Sequence, residues 1–319
     1  MVKRIAFITA LLMALAVPFT ASAAFPEKEI RILIPYKAGG QSDLTARKLA
    51  DIIQQKKLLP VSVLVVNIPG GNTVDCLNNV KSAKPDGYTL TLHHTALVTM
   101  EALGLLPLSW RDFDMIGQCL AMPMMLVVNA DSPWKTAKEM IDAVNSNPGK
   151  FSCALPGTGG TAHFAALQFF AKTGMLGNIN QQPLSGANEA ITALMGKRAD
   201  MRTSTSLDAA RFMRSGEQRG LVVIDNKPLP GYPDVEKASD LGVDSSVLLR
   251  SGLFAPKGLP QDVRDTLVNA LKAAVESDEF QEFCKSQAAM PEFQNPEQWA
   301  KTYAADQESV NALAKTLKK

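Results

Sequence analysis

The sequence predicts an α/β protein made of two halves, each with a mixed sheet, that enclose a cleft. Short apolar runs alternate with segments of helical periodicity, which indicates sheets with helical crossovers. Glycine-rich turns follow several predicted strands, and in open α/β sheets ligands bind beyond those strand ends. Two apolar stretches, Ile116–Val128 and Val247–Ala255, are placed to cross between the halves.

The first predicted unit is a strand, a turn and a helix. The apolar run Ile30–Ile34 predicts a buried strand, and the turn Lys37–Gly40 follows it. Helical spacing begins directly afterwards, with Ser42 and Asp43 as candidate capping residues. The start of such a helix has free backbone N–H groups and a partial positive charge, so it favours an anion.

The remaining elements repeat this alternation. The predicted strands are Val61–Val66, Tyr88–Leu92, Phe151–Leu155, Asn180–Leu184, Asp200–Ser204 and Leu221–Ile224. The predicted helices are Val74–Lys81, Thr136–Asn145, Ala162–Ala171, Glu189–Met195, Gln261–Glu276, Asp278–Gln287 and Pro296–Leu317. With the two crossings, this order predicts domain 1 as residues 24–122 and 252–319 and domain 2 as residues 123–251.

The N-terminus has the pattern of a secretory signal peptide. Lys3 and Arg4 precede an apolar run that is too short to span a bilayer, and small residues end at Ala23. Cleavage after Ala23 predicts export to the periplasm, and an uncleaved membrane anchor is the alternative. Cleavage also removes two positive charges, so the net charge of +2 becomes zero. A neutral chain has nothing strongly basic to attract nucleic acid or an anionic membrane surface, and no later segment is apolar enough to span a membrane. We also expect a monomer.

Motifs for catalysis and metal binding are missing from the sequence. There is no GxSxG, HExxH, GxxxxGK[ST] or GxGxxG pattern, and the three histidines have poor spacing for a metal. We therefore expect no enzyme, no cofactor and no metal, although a dispersed serine-type triad stays open. The four cysteines lack a CxxC pair, so either one or two disulfides or four buried thiols fit the sequence.

Small and polar residues cluster where the predicted strands end. Each glycine turn alone is an ordinary turn, but their shared position after successive strands predicts a binding site. These candidate ligand contacts are Gly39, Gly40, Ser42, Gly70, Gly71, Asn72, His94, Thr95, Gly157, Thr158, Gly159, Gly160, Thr161, Ser185 and Gly186.

Three further candidates are less clear-cut. Asp43 either caps its helix or contacts the ligand, and it would repel an anion unless it orders the loop through backbone N–H groups. Arg202, in the short strand that also contains Ser204, offers either a fork to a carboxylate or an exposed cation on an edge strand. We place Ser204 with Arg202 in the candidate site.

Several motifs in order resemble the periplasmic solute-binding proteins of tripartite tricarboxylate transporters, the Bug receptor family. The resemblance covers the chain from Phe25 to the C-terminus. The motifs are PEKEIR at 26–31, IPYKAGGQSDLTAR at 34–47, NIPG at 67–70, KPDGYTL at 84–90, GTGGTAH at 157–163, the run 190–200 and PDV at 233–235.

This resemblance implies a type II, Venus-flytrap binding protein without catalysis. It implies a small carboxylate ligand and, as partner, the permease subunits of the transporter. A sensor kinase as partner, or an exported hydrolase that uses the same cleft, are the alternatives. A ligand carboxylate would lie against the first two loops, which adds Tyr36 and Pro69 to the candidate contacts, and the domain 2 loops would close over it.

The sequence also departs from the family pattern. The second loop reads PGGNTV at 69–74, where the family has PGAGGN, and Ser185 replaces a common lysine. His94 and Arg202 stand where the family has small or apolar residues. We hypothesise that Asn72, His94 and Arg202 adapt the pocket to a larger or more acidic carboxylate than is usual.

Overall fold

The computed structural model describes residues 25–157 and 159–317 and has the predicted α/β architecture. The predicted signal peptide and Thr158 lie outside the described residues. The strands are β1 (Ile30–Ile34), β2 (Val63–Asn67), β3 (Thr89–His94), β4 (Phe113–Asn129), β5 (Ser152–Pro156), β6 (Asn180–Leu184), β7 (Met201–Thr205), β8 (Gln218–Val223), β9 (Glu236–Lys237), β10 (Leu248–Pro256) and β11 (Met290–Gln294).

The helices cover both faces of the sheets. They are α1 (Gln41–Gln55), α2 (Val74–Lys81), α3 (Ala96–Ala102), α4 (Ala137–Ser146), α5 (Thr161–Thr173), α6 (Ala187–Met195), α7 (Ser206–Arg214), α8 (Gln261–Val275), α9 (Asp278–Ser286) and α10 (Pro296–Leu317).

Two mixed sheets share the long strand β4. The strand order along both is β2-β1-β3-β10-β4-β7-β5-β6, with β8 and β11 also paired to β4. Strands β1, β2 and β3 are parallel to one another, and so are β5, β6 and β7. Strand β10 is antiparallel to β3 and β4, which makes the first sheet mixed. The alternating order of strands and helices along the chain produces this pattern.

Strand β4 carries the chain from the first half to the second. Its residues up to Pro123 pair with β10, and those from Met124 onward pair with β7 and β8. The chain returns beside this point, where the Met124 N–H donates to the carbonyl of Val247 at 3.3 Å. Residues 248–251, which the sequence places in domain 2, pair with β4 of the first sheet.

The pairing brings two sets of strand ends to the crossing. His94, the last residue of β3, pairs with Ser251 of β10, which lies near the return point. Thr205, the last residue of β7, pairs with Met124. Since parallel strands end at the same edge, the loops after β1–β3 lie at the edge of the first sheet where β3 meets the crossing, and those after β5–β7 lie at the edge of the second sheet where β7 meets it.

All four cysteines are free and buried. Of the two possibilities that fit the sequence, the structure therefore has the buried thiols. Cys119 Sγ, for example, donates to the carbonyl of Ser251 at 3.2 Å in the core of the first half. Small apolar thiols of this kind pack like other core side chains.

Candidate functional site

The loop after β1 is held by an acidic side chain four residues further on. Gly39 has φ +81°, and its N–H donates to Asp43 Oδ2 at 2.9 Å. Asp43 is 2% exposed and also accepts hydrogen bonds from Arg47 and Asn67. Burial alone would raise the pKa of Asp43, but these hydrogen bonds outweigh it and lower the pKa. Asp43 therefore orders the loop as a paired carboxylate.

Helix α1 has its N-cap two residues before Ser42, the earlier of the two predicted caps. Its N-cap is Gly40, without a side-chain hydrogen bond, so the capping role predicted for Ser42 and Asp43 is wrong. The buried Ser42 hydroxyl donates instead to Gln41 Oε1 at 3.1 Å. The N–H groups of Gly40, Gln41 and Ser42 have no acceptor among the described residues. Free N–H groups at a helix start of this kind favour an anion.

The loop after β2 has four successive residues with positive φ. These are Gly70 (+145°), Gly71 (+52°), Asn72 (+52°) and Thr73 (+79°), and the exposed Pro69 precedes them. A side chain on Gly71 would lie 2.7 Å from a carboxylate oxygen of Asp75, four residues further on. Asn72 and Thr73 stand where the family pattern has glycine. Left-handed φ is unfavourable for a β-branched residue, so Thr73 is strained.

Tyr36 and His94 form a stacked pair where β1 and β3 end. Their ring centroids are 5.2 Å apart and their planes differ by 8°. Burial and the neighbouring His93 lower the pKa of His94 well below its ordinary value, so the ring is neutral. Its Nδ1 accepts the N–H of Ala96 at 3.2 Å, which places the proton on Nε2. That Nε2–H group is a neutral donor without a partner among the described residues.

Thr95 connects the end of β3 to the crossing strand. Its Oγ1 donates to the carbonyl of Leu248 at 3.2 Å and accepts the N–H of Arg250 at 2.9 Å. Thr95 is buried, and both bonds go to β10. These contacts give Thr95 a role in fixing the first half to the crossing.

Two loops of the second half have the same hydrogen bond as the loop after β1, in which a backbone N–H group donates to a side chain four residues further on. The Gly159 N–H donates to His163 Nδ1 at 3.0 Å, and the Ser185 N–H donates to Glu189 at 3.1 Å. Helix α5 follows Gly160 as N-cap, and α6 follows Gly186. The N–H groups of the first residues of both helices have no acceptor among the described residues.

Gly157 and Thr161 complete the loop after β5. Gly157 has φ +73°, and its N–H donates to the carbonyl of Leu184 at 2.9 Å. Thr161 opens α5, is 3% exposed, and its hydroxyl has no hydrogen-bond partner among the described residues. Thr161 therefore has a free donor beside the free N–H groups of its helix.

Contacts between the halves show that the two sets of loops approach each other. A side chain on Gly159 would lie 3.3 Å from Leu103 Cδ1 and closer still to Leu105, both in the segment after α3. Hydrogen bonds from Ser185 lower the pKa of Glu189, and the positive charge of Lys37, in the loop after β1, contributes to this shift. The loops of the two halves therefore lie close to one another.

Arg202 and Ser204 lie elsewhere in the second half. The sequence predicts a ligand contact for Arg202, with an exposed edge strand as the alternative. The structure buries Arg202 completely in β7, an interior strand, where its Nη2 donates to Gln218 Oε1 at 2.9 Å. Ser204 is also buried, and its Oγ donates to the carbonyl of Thr205. The exposed alternative is wrong, and neither side chain is free to face the cleft.

Gln41 lies in the candidate site at the start of α1, and the sequence reasoning missed it. Its Nε2 donates to Thr45 Oγ1 and to Ser251 Oγ, each at 3.2 Å, so it connects the start of α1 to β10. The glutamine at the third position of the GGQSD motif is the signal that could have identified it. Leu103 and Leu105 were also missed, because nothing in their local pattern indicates a partner in the other half.

Neither a metal cluster nor a membrane-spanning helix occurs in the part of the chain that the structure describes. Within residues 25–157 and 159–317, no group of three or more His, Cys, Asp or Glu side chains could hold a metal ion. Over the same ranges, each helix falls short of the length and apolarity that crossing a membrane requires.

Comparison with known proteins places the chain in a family. A family model described as "Tripartite tricarboxylate transporter family receptor" matches residues 45–318. A Cupriavidus necator protein described as "UPF0065 protein in gbd 5'region" is 31% identical over 317 residues, which cover 98% of this chain and 95% of that protein.

Solved structures agree with this placement. The periplasmic binding protein BugD is 27% identical with a TM-score of 0.79, over 92% of this chain and 98% of that chain. MatC from Rhodopseudomonas palustris with bound malate, at 23% identity and a TM-score of 0.78 over 91% of this chain and 99% of that chain, has the same fold. The resemblance read from the motifs is confirmed, and the chain belongs to the receptor family of tripartite tricarboxylate transporters, a family of solute-binding proteins.

Proposed function

We propose that this receptor binds a small carboxylate in the periplasm and delivers it to the membrane subunits of a tripartite tricarboxylate transporter. The family membership supports transport, and the predicted signal peptide supports export. Bound malate in a protein of the same fold supports a carboxylate ligand. We further propose that the ligand leaves the protein chemically unchanged.

The free N–H groups at helix starts on both sides of the cleft carry this proposal. Helix α1 offers the N–H groups of Gly40, Gln41 and Ser42, and α5 and α6 offer theirs from the opposite half. A helix start favours negative charge, and backbone N–H groups make strong hydrogen bonds to carboxylate oxygens. The Nε2–H group of His94 adds a neutral donor beside Tyr36.

Fixed charges near the proposed contacts are few and mostly compensated. The carboxylate of Asp43 is paired with Arg47, so it does not present a free negative charge to the ligand. Lys37 is exposed in the loop after β1 and adds a positive charge at the edge of the cleft. We therefore infer a ligand with one or two carboxylates that is recognised mainly by neutral donors.

We infer that ligand binding favours closure of the two halves about the crossing. The described halves are residues 25–123 with 248–317, and residues 124–247, joined near Pro123 and Val247. Helix starts from both halves reach one ligand only in a closed form, so the ligand binds that form more tightly and increases its population.

A thermal-shift screen followed by isothermal titration tests the proposal. The panel contains dicarboxylates, tricarboxylates, aromatic acids and amino acids, each matched with its primary amide. We expect Tm to rise with at least one carboxylate and not with its amide, since binding stabilises the native state and the amide lacks the charge. Chromatography of the recovered ligand should show it unchanged. A Tm increase with amides or amines alone, or turnover of the ligand, would contradict the proposal.

The transport partner is tested in cells. Deletion of the receptor gene should abolish uptake of the carboxylate found in the screen, and expression of the wild-type chain should restore it. Normal uptake combined with loss of a transcriptional response to the same carboxylate would indicate a sensor kinase as the partner instead.

A further inference from the structure

The end of helix α3 holds Leu105 in a fixed backbone position. Gly104, with φ +71°, follows the helix, and its N–H donates to the carbonyl of Glu101 at 3.0 Å. The Leu105 N–H donates to the carbonyl of Met100 at 2.8 Å, which completes a Schellman motif. An apolar residue at this position of the motif commonly packs on its own helix, but Leu105 stays 43% exposed. The motif therefore fixes the backbone at Leu105 and leaves its side chain partly uncovered.

Gly159 is the residue of the second half that Leu105 meets. Its φ is +75°, and its N–H donates to His163 Nδ1 at 3.0 Å, which orders the loop after β5. A Cβ atom at residue 159 would collide with Leu105 Cδ1 and would lie 3.3 Å from Leu103 Cδ1. Helices α3 and α5, which flank these loops, also approach each other. The two leucines therefore occupy the space that a side chain at residue 159 would need.

The strands that join the halves do not hold this contact together. The chain crosses near Pro123 and Val247, where β4, β7, β8 and β10 pair. Leu105 lies between α3 and β4, and Gly159 lies between β5 and α5, so neither residue belongs to those strands. A rotation about the crossing that moves the loops apart separates Leu105 from Gly159. It also exposes apolar surface to water, which is unfavourable.

We infer that Leu105 is a positioning residue for ligand capture, because its contact with Gly159 sets the fraction of the receptor that is closed before the ligand binds. Closed here means the arrangement in which Leu105 contacts Gly159. The inference rests on the proposed function, in which the ligand binds between the halves. The apparent dissociation constant is the intrinsic constant divided by the closed fraction. The contact therefore strengthens the binding of every ligand by one common factor, without touching any of them.

Double electron–electron resonance on the ligand-free chain measures the closed fraction. Nitroxide labels at Lys84→Cys and Lys138→Cys report one position in each half, because both lysines are exposed and the native cysteines are buried. The component at the separation that the structure has between these positions is the closed form. Leu105→Ser should lower the closed-to-open ratio about threefold, since it loses apolar burial at the contact. The control Leu64→Ser alters a leucine of the same half that is 45% exposed, and it should leave the ratio unchanged.

Isothermal titration shows whether the same contact affects affinity. Leu105→Ser should weaken the binding of two different carboxylates from the screen by the same factor, about threefold. Gly159→Ala should also weaken both, because the added methyl group takes the space of Leu105. Adding Leu105→Ala to Gly159→Ala should restore part of the affinity, although Leu105→Ala alone weakens binding. This reversal of sign is expected only if the two residues act on each other.

The outcomes distinguish a failure of this inference from a failure of the proposed function. An unchanged closed-to-open ratio in folded Leu105→Ser and Gly159→Ala chains would overturn the inference. Different factors for the two carboxylates would overturn it too, because they would show that Leu105 contacts the ligand. A chain that binds no carboxylate but loses its closed form in Leu105→Ser would contradict the proposed function and support the role of the contact.

Discussion

The loops on the two sides of the cleft have the same hydrogen-bond pattern but use different chemical groups. In the first half, the Gly39 N–H is held by the ionised, buried Asp43, which Arg47 and Asn67 also contact. In the second half, the Gly159 N–H is held by a neutral, half-buried His163. The first loop therefore depends on a charge network, and the second depends on one neutral hydrogen bond and on packing between the halves.

The largest expected effect is in the first loop. Asp43→Asn should lower the free energy of unfolding by about 2–4 kcal/mol, because an amide cannot accept from all three donors and leaves Arg47 without its carboxylate. Urea unfolding measures this change. The control Asp51→Asn alters an exposed carboxylate of the same helix and should change stability by less than about 0.5 kcal/mol. Equal stabilities of the two variants would show that the charge network does not hold the loop.

A glycine-to-alanine substitution in each loop tests how much packing between the halves contributes to the stability of the second loop. Gly159→Ala should cost about 1.5 kcal/mol, because it combines a left-handed φ of +75° with displacement of the half-exposed Leu105 side chain. Gly39→Ala has a similar φ of +81° but open space around it, so about 1 kcal/mol is expected. In a double-mutant cycle, Leu105→Ala should restore part of the loss in Gly159→Ala. If it restores nothing, the contact between the halves is not responsible.

A substitution in the loop after β2 is expected to raise the free energy of unfolding, whereas the substitutions above lower it. Thr73→Gly should raise the free energy of unfolding by about 1 kcal/mol, since glycine adopts a φ of +79° without strain. Thr192→Gly, inside helix α6, should instead lower it by roughly 0.5 kcal/mol. Urea unfolding compares the two variants. A loss of stability in Thr73→Gly would mean that the threonine methyl packing outweighs the backbone strain.

The smallest expected effect is a difference between the two loops in how their contribution to stability depends on pH. Hydrogen bonds lower the pKa of Asp43, so its stabilisation is complete above the unfolded pKa of about 4 and is lost only as pH falls through the lower folded value. Burial lowers the pKa of His163, so its stabilisation is complete above about pH 6.5 and is lost as pH falls below that. Protonation of Nδ1 also removes the acceptor of the Gly159 N–H.

His163→Gln keeps an acceptor that does not titrate. Between pH 7.5 and pH 5, this variant should lose less stability than the wild-type chain, by up to about 1 kcal/mol. His93 and His94 contribute to both profiles, since their pKa values are also lowered by burial. Urea unfolding across this pH range measures the difference, and superimposable profiles would exclude His163 as a titrating group of the second loop.

Local patterns in the sequence predicted much of the fold. Strands β1 and β6 have the predicted bounds, since a short run between turn residues determines each of them. Helix α3 was missed because five of its seven residues are buried, so it has no polar face and no helical periodicity. Helix α7 was missed as well, although Thr205 caps it with a side-chain hydrogen bond to Asp208.

In the candidate site too, contacts between residues close in the sequence could be predicted, and contacts between distant residues could not. Gly39 and Asp43, or Gly159 and His163, are four residues apart, so the sequence contains both members of each hydrogen bond. Arg202 finds its partner Gln218 sixteen residues later, on another strand. Nothing in the short segment around Arg202 indicates which face of the sheet it occupies, so the sequence could not exclude it from the cleft.

The central claim is that free backbone N–H groups at helix starts bind the carboxylate, and one pair of variants isolates such a group. Proline is well tolerated at the first helical position, and the φ of −82° and ψ of 172° at Gly40 suit a residue before proline. Gln41→Pro removes the side chain and the N–H, whereas Gln41→Ala removes the side chain alone. The same pair at Gln261, the first residue of α8, is the control.

Isothermal titration with the carboxylate from the screen compares these four variants. Our account predicts that Gln41→Pro binds about tenfold more weakly than Gln41→Ala, which is a difference of about 1.4 kcal/mol. It predicts equal affinities for Gln261→Pro and Gln261→Ala. Equal affinities for Gln41→Pro and Gln41→Ala in folded proteins would contradict the claim.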